Sequence, residues 1–316
     1  MYFYQLRTFL VVARHQGISR ALPELALTQS AASRQIQNLE EQLGVQLFLR
    51  KGRALLPTEA GCLLQEYATR SLRILDEARE AIDGLKGLLR GRLRISAAST
   101  IGIFLLPEIL GGFKAVHPGI EISLSITNKE QVLRHVLAAS SDLGFVGSKV
   151  SSPELLSEEY LEDELVLVVS PRHRLAHREK VRAAELAEEI FILREKGSGT
   201  REIMEEEMGR AGIPLRNAMD LGSTEAIKQA VAANLGVSIV SIHCVTQEAL
   251  LGRLCLVRVS DLDLHRQIYM VSLRNMPLSP AAEAFRKFLF EHRAAETARS
   301  KARSSAREGR RHAHSR

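Results

Sequence analysis

The chain has 316 residues, 45% of them hydrophobic, and a net charge of +6 from 43 basic and 37 acidic side chains. This length exceeds one ordinary domain, and the composition is typical of folded globular proteins. The three cysteines, Cys62, Cys244 and Cys255, are odd in number, which argues against a disulfide framework, and their spacing matches no set of metal ligands. No apolar stretch reaches the length of a membrane span and the N-terminus does not resemble a secretion signal, so we expect a cytoplasmic protein with no membrane partner.

Basic charge is concentrated at the two ends of the chain. Residues 1–58 contain seven basic and three acidic side chains, residues 294–316 contain seven and two, and the long middle is nearly neutral. This distribution favours contact with a polyanion at the ends only. The tail at 294–316 lacks the apolar residues needed to fold, so we expect it to be disordered, either adding sequence-independent affinity for the polyanion or only solubilising the chain.

The first 44 residues predict three short helices. Apolar residues at helical spacing give a first helix over 5–14, Ser19 is expected to cap the second, and Thr28 is expected to cap a third that ends at Gly44. Pro23 would lie near the first turn of the second helix, where a local kink is expected rather than a break. Three such helices indicate a helix-turn-helix.

Two further elements follow this predicted motif. The segment after Gly44 alternates apolar and polar residues around Lys51-Gly52, which predicts a small hairpin, or wing, with basic side chains at its tip. From Thr58 to Leu89, apolar residues recur every three or four positions, which predicts one long helix. Its apolar stripe needs a cover, and we favour a second copy of the chain over another domain.

The rest of the chain alternates strands and helices. Two α/β blocks of similar size predict two lobes with a cleft between them, and a last helix at 281–293 is expected to pack on the first lobe. The predicted divisions are a winged helix-turn-helix at 1–58, a linker and dimerisation helix at 59–90, a two-lobed domain at 91–293 (lobe I about 91–163 and 268–293, lobe II about 164–267) and the tail at 294–316.

The N-terminal segment resembles the LysR-family DNA-binding signature. The matching motifs are Ala-x-x-x-Leu, Thr-Gln-Ser-x-x-Ser-Arg-Gln-Ile, Leu-Glu-x-x-Leu-Gly, Leu-Phe-x-Arg and Thr-x-x-Gly, all between residues 7 and 61. The later segments LLPEILGGFKAVHPGIEISL, DLGFV and NLGVSIVS resemble the sensing domain of that family. The resemblance implies an N-terminal all-α winged helix-turn-helix with a long linker helix, followed by an α/β two-lobed, type 2 periplasmic-binding-protein-like effector domain. Within the family, ASTIG, REKGSGTRE and LGSTEAIKQAV most resemble the CysB-type branch and relatives linked to sulfite or selenium metabolism.

Residues with short or hydrogen-bonding side chains cluster where a recognition helix meets the major groove, and basic residues cluster at the wing. Gln29 and Ser30 are the expected base contacts, whereas Arg34 is better placed for a phosphate. The alternative is an ordinary capped helix followed by a solvated basic turn. The expected DNA contacts are Ser19, Thr28, Gln29, Ser30, Ser33, Arg34, Arg50, Lys51 and Arg53.

Two predicted helix N-termini indicate an anion site in the cleft. Free backbone N–H groups, hydroxyl groups and one arginine suit a small anion or a carboxylate if the two turns face each other. The alternative is that the hydroxyl groups only cap helices and that Arg201 is a surface charge. The expected effector contacts are Ser99, Thr100, Phe145, Ser198, Gly199, Thr200 and Arg201.

These features together predict a sequence-specific transcription regulator that binds double-stranded DNA as a homo-oligomer through its linker helix. A small anionic effector, from sulfur or selenium metabolism, is expected to modulate it, and RNA polymerase is a further candidate partner. We expect no cofactor. The alternatives are a solute-binding protein, which predicts a secretion signal, and a regulator of carbon metabolism that senses a carboxylate. An enzyme is not expected, because no nucleophile with an adjacent base, phosphate loop or metal cluster is present in the sequence.

Overall fold

A computed structural model describes residues 3–52, 54–84 and 90–293. It comprises two compact units, one on each side of residues 85–89. The first unit is helical with a two-stranded hairpin. Its elements are α1 (Phe3–His15), α2 (Ile18–Leu25), α3 (Gln29–Leu43), β1 (Phe48–Lys51), β2 (Ala54–Pro57) and α4 (Glu59–Gly84). The three helices and the hairpin that the sequence predicts are therefore confirmed.

Local signals define both ends of α3. The Oγ1 atom of Thr28 accepts a hydrogen bond from the N–H of Ala31 at 3.2 Å, which satisfies one of the free donors of the first turn. At the other end Gly44 adopts a left-handed conformation with φ of 69° and donates its N–H to the carbonyl oxygen of Glu40 at 2.8 Å. Both caps are those that the sequence predicts.

The start of α2 differs from the expectation. The helix begins at Ile18 after Gly17, so Ser19 lies inside it and does not cap it. Pro23, which has no N–H to donate to the Ser19 carbonyl, therefore lies in the last turn rather than the first. The helix ends two residues later, where Ala26 adopts a left-handed φ of 52°. The proline thus helps to end a short helix.

The apolar side chains of α4 form two sets, one packed in the core of the first unit and one exposed. Leu64, Ala68 and Leu72 pack into the core of the first unit, around Phe9 and Leu39. This stretch of α4 has an intrachain partner, which corrects the expectation that the whole stripe lacks one. A second set of apolar side chains on α4 is exposed instead: Leu63, Tyr67, Ile74, Leu75 and Ile82, each 42–58% accessible.

The second unit alternates strands and helices as predicted. Its strands are β3 (Gly91–Ala98), β4 (Ile120–Thr127), β5 (Leu143–Val146), β6 (Leu155–Val169), β7 (Lys180–Val181), β8 (Ile190–Arg194), β9 (Arg216–Leu221), β10 (Ser238–Ser241), β11 (Cys255–Val259) and β12 (His265–Leu273). Its helices are α5 (Leu106–Val116), α6 (Lys129–Leu137), α7 (Gly199–Arg210), α8 (Thr224–Ala232), α9 (Thr246–Leu250) and α10 (280–293). A π-helical turn, Ile101–Leu105, precedes α5.

Two long strands connect the halves of this unit. β12 pairs with β6 in antiparallel register over His265–Leu273. On the other side of β12, the sheet continues with β5 and then with the parallel pair of β3 and β4. The end of β6 pairs with β11 and β10. The end of β6 is a continuous apolar run from Leu165 to Val169, but the strand begins ten residues earlier, at Leu155. Its first part is rich in acidic residues, which conceal a strand from hydrophobicity patterns but not from pairing with β12.

The hydrophobic cores divide the second unit into two lobes. Lobe I packs β3–β5, α5, α6 and α10 around clusters that include Phe113, Tyr160 and Phe285. Lobe II packs β7–β11 and α7–α9 around clusters that include Phe191, Met204 and Ile227. β6 contributes residues to the cores of both lobes, whereas the core residues of β12 belong to lobe I.

Candidate functional site

The first unit contains a concave surface between the helices and the wing. It encloses about 850 Å³ of empty space and is lined by Gly17, Ile18, Ser19, Arg20, Gln29, Ser33, Arg50, Gly52 and Leu55. Four of the expected DNA contacts are among these residues. Thr28, Ser30, Arg34 and Lys51 are exposed but are not in this lining, and Arg53 lies outside the described residues. Arg20, which directly follows Ser19, is an additional basic lining residue that was not among the expected contacts.

Glu40 positions the wing relative to α3. Its Oε1 atom accepts hydrogen bonds from the N–H groups of Leu47 at 2.7 Å and Phe48 at 3.3 Å, where β1 begins. The N–H of Leu55 on β2 donates to the carbonyl oxygen of Gln16 at 2.9 Å. These contacts give the Leu-Glu-x-x-Leu-Gly motif a physical reason, because its carboxylate satisfies backbone donors that would otherwise be unpaired.

The glycine of the Thr-x-x-Gly motif is required by close packing. At the start of α4, the Oγ1 atom of Thr58 accepts a hydrogen bond from the N–H of Gly61 at 3.0 Å. A Cβ atom at position 61 would lie 2.2 Å from the carbonyl oxygen of Leu47. The wing and the linker helix therefore approach so closely that only glycine fits.

The second unit contains a cavity between the lobes. It encloses about 370 Å³ of empty space that is partly open to solvent. Its described lining comprises Ala98, Ser99, Thr100, Ile101, Thr127, Asn128, Lys129, Gly147, Arg194, Glu195, Ser198, Gly199, Thr200 and Arg266. Ser99, Thr100, Ser198, Gly199 and Thr200 were predicted to contact an effector, and the structure brings them together.

Helix N-termini from both lobes reach the cavity. Thr100 precedes the π-helical turn, Lys129 begins α6 and Ser198 precedes α7. The side chains of Thr100 and Ser198 make no capping hydrogen bond, although both residues are at least 94% buried. The Thr100 hydroxyl group interacts with the Cys244 thiol, whereas the Ser198 hydroxyl group and the free N–H groups in the first turn of α7 are available for an anion.

Arg266 on β12 supplies a buried cation at the cavity wall. Its Nε atom donates to Oδ2 of Asp163 at 2.8 Å, its Nη2 atom lies 2.7 Å from the same oxygen, and its Nη1 atom donates to Oγ1 of Thr200 at 2.9 Å. Nη2 is buried and satisfies no hydrogen-bond geometry despite its short distance to the carboxylate. Asp163 is fully buried and also accepts a hydrogen bond from Ser241 at 2.7 Å. The sequence carries no local signal of the role of Arg266, because its partners are far away in the chain.

Phe145 does not reach the cavity. Its side chain is fully buried in the core of lobe I and contacts Tyr160 edge-on, with ring centroids 6.2 Å apart. On β5, alternate side chains point to opposite faces, and Phe145 faces the core. This placement corrects its expected role as an effector contact.

Arg201 also lies outside the cavity lining. Its guanidinium group donates to Glu205 at 2.6 Å, to Asp220 at 2.9 Å and to the carbonyl oxygen of Arg194 at 2.8 Å. The hydrogen bond to Glu205, supported by that to Asp220, raises the pKa of Arg201 above its ordinary value. The residue is therefore neither an effector contact nor a free surface charge, but fixes the start of α7 to the adjoining strands.

Cys244 lies behind the cavity wall. It is 2% exposed, and its thiol interacts with Thr100 and Ser241. Burial raises the pKa of the Cys244 thiol to about 11, so the neutral form is retained near neutral pH. Among the described residues, no group of three or more His, Cys, Asp or Glu side chains is arranged to hold a metal ion.

Two family models match the chain. "Bacterial regulatory helix-turn-helix protein, lysR family" matches residues 3–62, and "LysR substrate binding domain" matches residues 86–294. Within the described ranges, no helix combines the length and apolarity that crossing a membrane requires.

Known proteins resemble the chain over most of its length. A RuBisCO operon transcriptional regulator of Allochromatium vinosum is 39% identical over 92% of this chain and 96% of its own length. The regulatory domain of Synechocystis CcmR, solved in complex with 2-PG, is 33% identical over 64% of this chain and 97% of its own, with a TM-score of 0.60. CbnR bound to its target DNA shares the fold, with 23% identity, a TM-score of 0.69 and coverage of 92% of this chain and 99% of its own.

Proposed function

This chain belongs to the LysR family of transcriptional regulators, and we propose that a small anion bound between the two lobes of its effector domain controls its binding to DNA. The observation that carries the proposal is the interlobe cavity, where helix N-termini, uncapped hydroxyl groups and the buried guanidinium group of Arg266 converge. An anion held by both lobes stabilises one lobe arrangement over another, which is the differential affinity that such control requires.

For the DNA-binding end, Gln29 and Ser30 at the start of α3 are the proposed base contacts. Thr28, Ser33, Arg34 and the wing residues Arg50 and Lys51 are proposed to bind mainly phosphates. Two observations support these assignments. The N-terminal turn of α3 is exposed, as a helix that contacts base edges requires, and Gln29 and Arg50 line the same concave surface.

We propose that the chain acts as a homo-oligomer. Leu63, Tyr67, Ile74 and Ile82 on α4 are each 53–58% exposed, and their spacing places them along one side of the helix. A second copy of α4 is the proposed cover for this strip, since two half-sites on DNA require two recognition helices. Size-exclusion chromatography with light scattering tests this: Tyr67→Glu with Ile74→Glu should give monomers, whereas a retained oligomer would contradict the proposed interface.

Two chemical classes of effector remain distinct hypotheses. The sequence segments around the cavity favour an oxyanion of sulfur or selenium metabolism. The relatives favour an effector of carbon metabolism, since one is named as a regulator of a RuBisCO operon and the regulatory domain of another was solved with 2-PG. Both classes are small anions, so the cavity chemistry suits either.

The experiment is a thermal-shift and DNA-anisotropy titration of the full chain with sulfite, sulfate, thiosulfate, selenite, phosphate, 2-PG and simple carboxylates. An effector at about 100 times its dissociation constant stabilises the folded protein by about 2.7 kcal/mol. The effector should also shift the DNA-binding curve. A panel in which no anion shifts either curve would refute the anion site and direct the search to neutral ligands.

A matched pair of serine variants locates the site. Ser198→Ala removes a hydroxyl group from the cavity that caps nothing, so it should weaken anion binding. Ser223→Ala removes the corresponding N-cap of α8, whose Oγ atom accepts the N–H of Ala226 at 3.3 Å outside the cavity lining. The second variant should cost about 1 kcal/mol of stability and leave the anion affinity unchanged. Equal losses of affinity in both variants would contradict the proposed location.

A further inference from the structure

The cations of the interlobe cavity are each matched by a carboxylate, but only one of those carboxylates lies in the cavity itself. Lys129 lies 3.4 Å from Glu202 and Arg266 lies against Asp163, and neither acid belongs to the described lining. Arg194 is paired with Glu195, which is the one acidic side chain among the described lining residues.

The pair of Arg194 and Glu195 has the geometry of a ligand complex. The Nε and Nη2 atoms of Arg194 donate to the two carboxylate oxygens of Glu195, both at 2.7 Å, while Nη1 donates to Oγ1 of Thr224 at 3.0 Å. Two parallel N–H···O bonds are the arrangement by which arginine recognises carboxylates. Glu195 therefore occupies the guanidinium edge at which an incoming anion would be bound.

The two arginines differ in how readily their partners can leave. The Asp163 side chain is fully buried, so moving it away from Arg266 would leave a charge without solvent. The Glu195 side chain is 31% exposed, whereas Arg194 is 6% exposed. Glu195 can move toward water while Arg194 stays in the wall. Arg194 is thus the cation that can change partner.

We propose that Glu195 acts as a built-in competitor that lowers the affinity of the cavity for anions and sets which anions can reach Arg194. This inference rests on the proposed function of the cavity. An anion that enters while Glu195 is in place meets a like charge, and one that replaces Glu195 must separate a bidentate ion pair. In either case Glu195 raises the anion concentration at which the regulator responds. Carboxylates are affected most, because they need the same two donors.

The test compares two variants with the same change in charge. Glu195→Gln removes the competing charge, and Glu206→Gln removes a charge from an exposed residue of α7 that pairs with Arg210 and is not in the lining. Binding of sulfate and malonate to the full-length protein is measured by isothermal titration calorimetry at fixed ionic strength. Glu195→Gln should bind malonate about tenfold more tightly and sulfate more tightly by a smaller factor. Glu206→Gln should match the wild type.

Glu195→Ala provides a second variant that removes the side chain beyond Cβ and should give the same direction of change. Circular dichroism establishes that each variant is folded. Anion binding that is equal in the wild type and both Glu195 variants would overturn the inference while leaving the proposed anion site intact. An equal gain in Glu206→Gln would also overturn it, since a general charge effect would then explain the change. No binding of either anion to any variant would overturn the inference, because removal of the competing charge would then have opened no site at Arg194, whereas the proposed anion site is judged by the full panel of anions.

Discussion

The buried ion pair behind the interlobe cavity should make a large and specific contribution to stability. Replacing Arg266 with Met removes the guanidinium group and leaves the carboxylate of Asp163, which is fully buried, with the hydroxyl group of Ser241 as its remaining donor in this network. Two charges about 2.8 Å apart attract each other by about 6 kcal/mol at an effective dielectric constant of about 20. Measured losses on breaking buried pairs are about 3–5 kcal/mol, because the remaining acid relaxes or takes up a proton.

We expect Arg266→Met to lower the free energy of unfolding by about 3–5 kcal/mol at pH 7. Adding Asp163→Asn removes the uncompensated charge, so the double variant should regain at least half of that loss. Arg258→Met is the matched control, since Arg258 is 64% exposed and pairs with Glu164 at 3.1 Å, where loss of the pair costs about 0–1 kcal/mol.

Urea unfolding of the full-length variants, followed by far-ultraviolet circular dichroism, provides the measurement because the chain contains no tryptophan. Strict additivity of the Arg266 and Asp163 variants would refute the reasoning, since it would mean that the two charges do not interact. A loss in Arg258→Met as large as that in Arg266→Met would refute the role assigned to burial.

Three further predictions follow from individual contacts. Gly61→Ala should destabilise the DNA-binding unit by about 1–3 kcal/mol, because its Cβ would lie 2.2 Å from a backbone oxygen, whereas Gly111→Ala, with no atom within 4 Å, should be neutral or stabilising in thermal unfolding. Arg50→Ala should reduce the salt dependence of DNA binding by about one phosphate contact in anisotropy titrations, and an unchanged slope would exclude a phosphate contact. Iodoacetamide at pH 8 should modify the exposed Cys62 much faster than Cys244. Cys244 is buried, and its raised pKa of about 11 keeps the thiol protonated until the pH approaches that value. Mass spectrometry of the alkylated peptides measures both rates.

The stability of the protein should also fall in strongly alkaline solution, and the direction follows from the same thiol. Cys244 has a pKa of about 11 in the folded chain, raised from an ordinary value of 9.0. The folded state therefore holds this proton more tightly than the unfolded state, and its stabilising contribution is full below pH 9 and is lost as the pH rises toward 11. Cys244→Ser should reduce this loss in pH-dependent thermal unfolding.

The helix-turn-helix was predictable from sequence because its determinants are local. Thr28 caps a helix through an N–H three residues away, and Gly44 ends it through a carbonyl group four residues away. The spacing of Thr58 and Gly61 likewise records a contact within one turn, although the reason for the glycine is the carbonyl group of Leu47. Local signals failed at Ser19, because a serine within a short helical segment resembles a cap and only the backbone path shows where the helix begins.

The effector cavity was predictable in outline and not in detail. Strand-to-helix turns indicated Ser99, Thr100 and the glycine-rich turn at 197–201, because helix N-termini are recognisable in sequence. Whether a side chain next to such a turn faces the cavity depends on contacts across the fold. Arg201 turns to Asp220 and Glu205, and Phe145 faces the core of lobe I.

Sequence alone thus determined the family, the order of the helices in the first unit and both ends of α3, because each depends on periodicity, capping and turn chemistry within a few residues. Only the tertiary structure decided which charges lie in the cavity wall. Arg266 meets Asp163 across 103 positions of sequence, and neither residue carries a local signal of that meeting. Their pairing is fixed by the register of β6 against β12, in which Arg266 stands opposite Asp163, and register is a property of the assembled sheet.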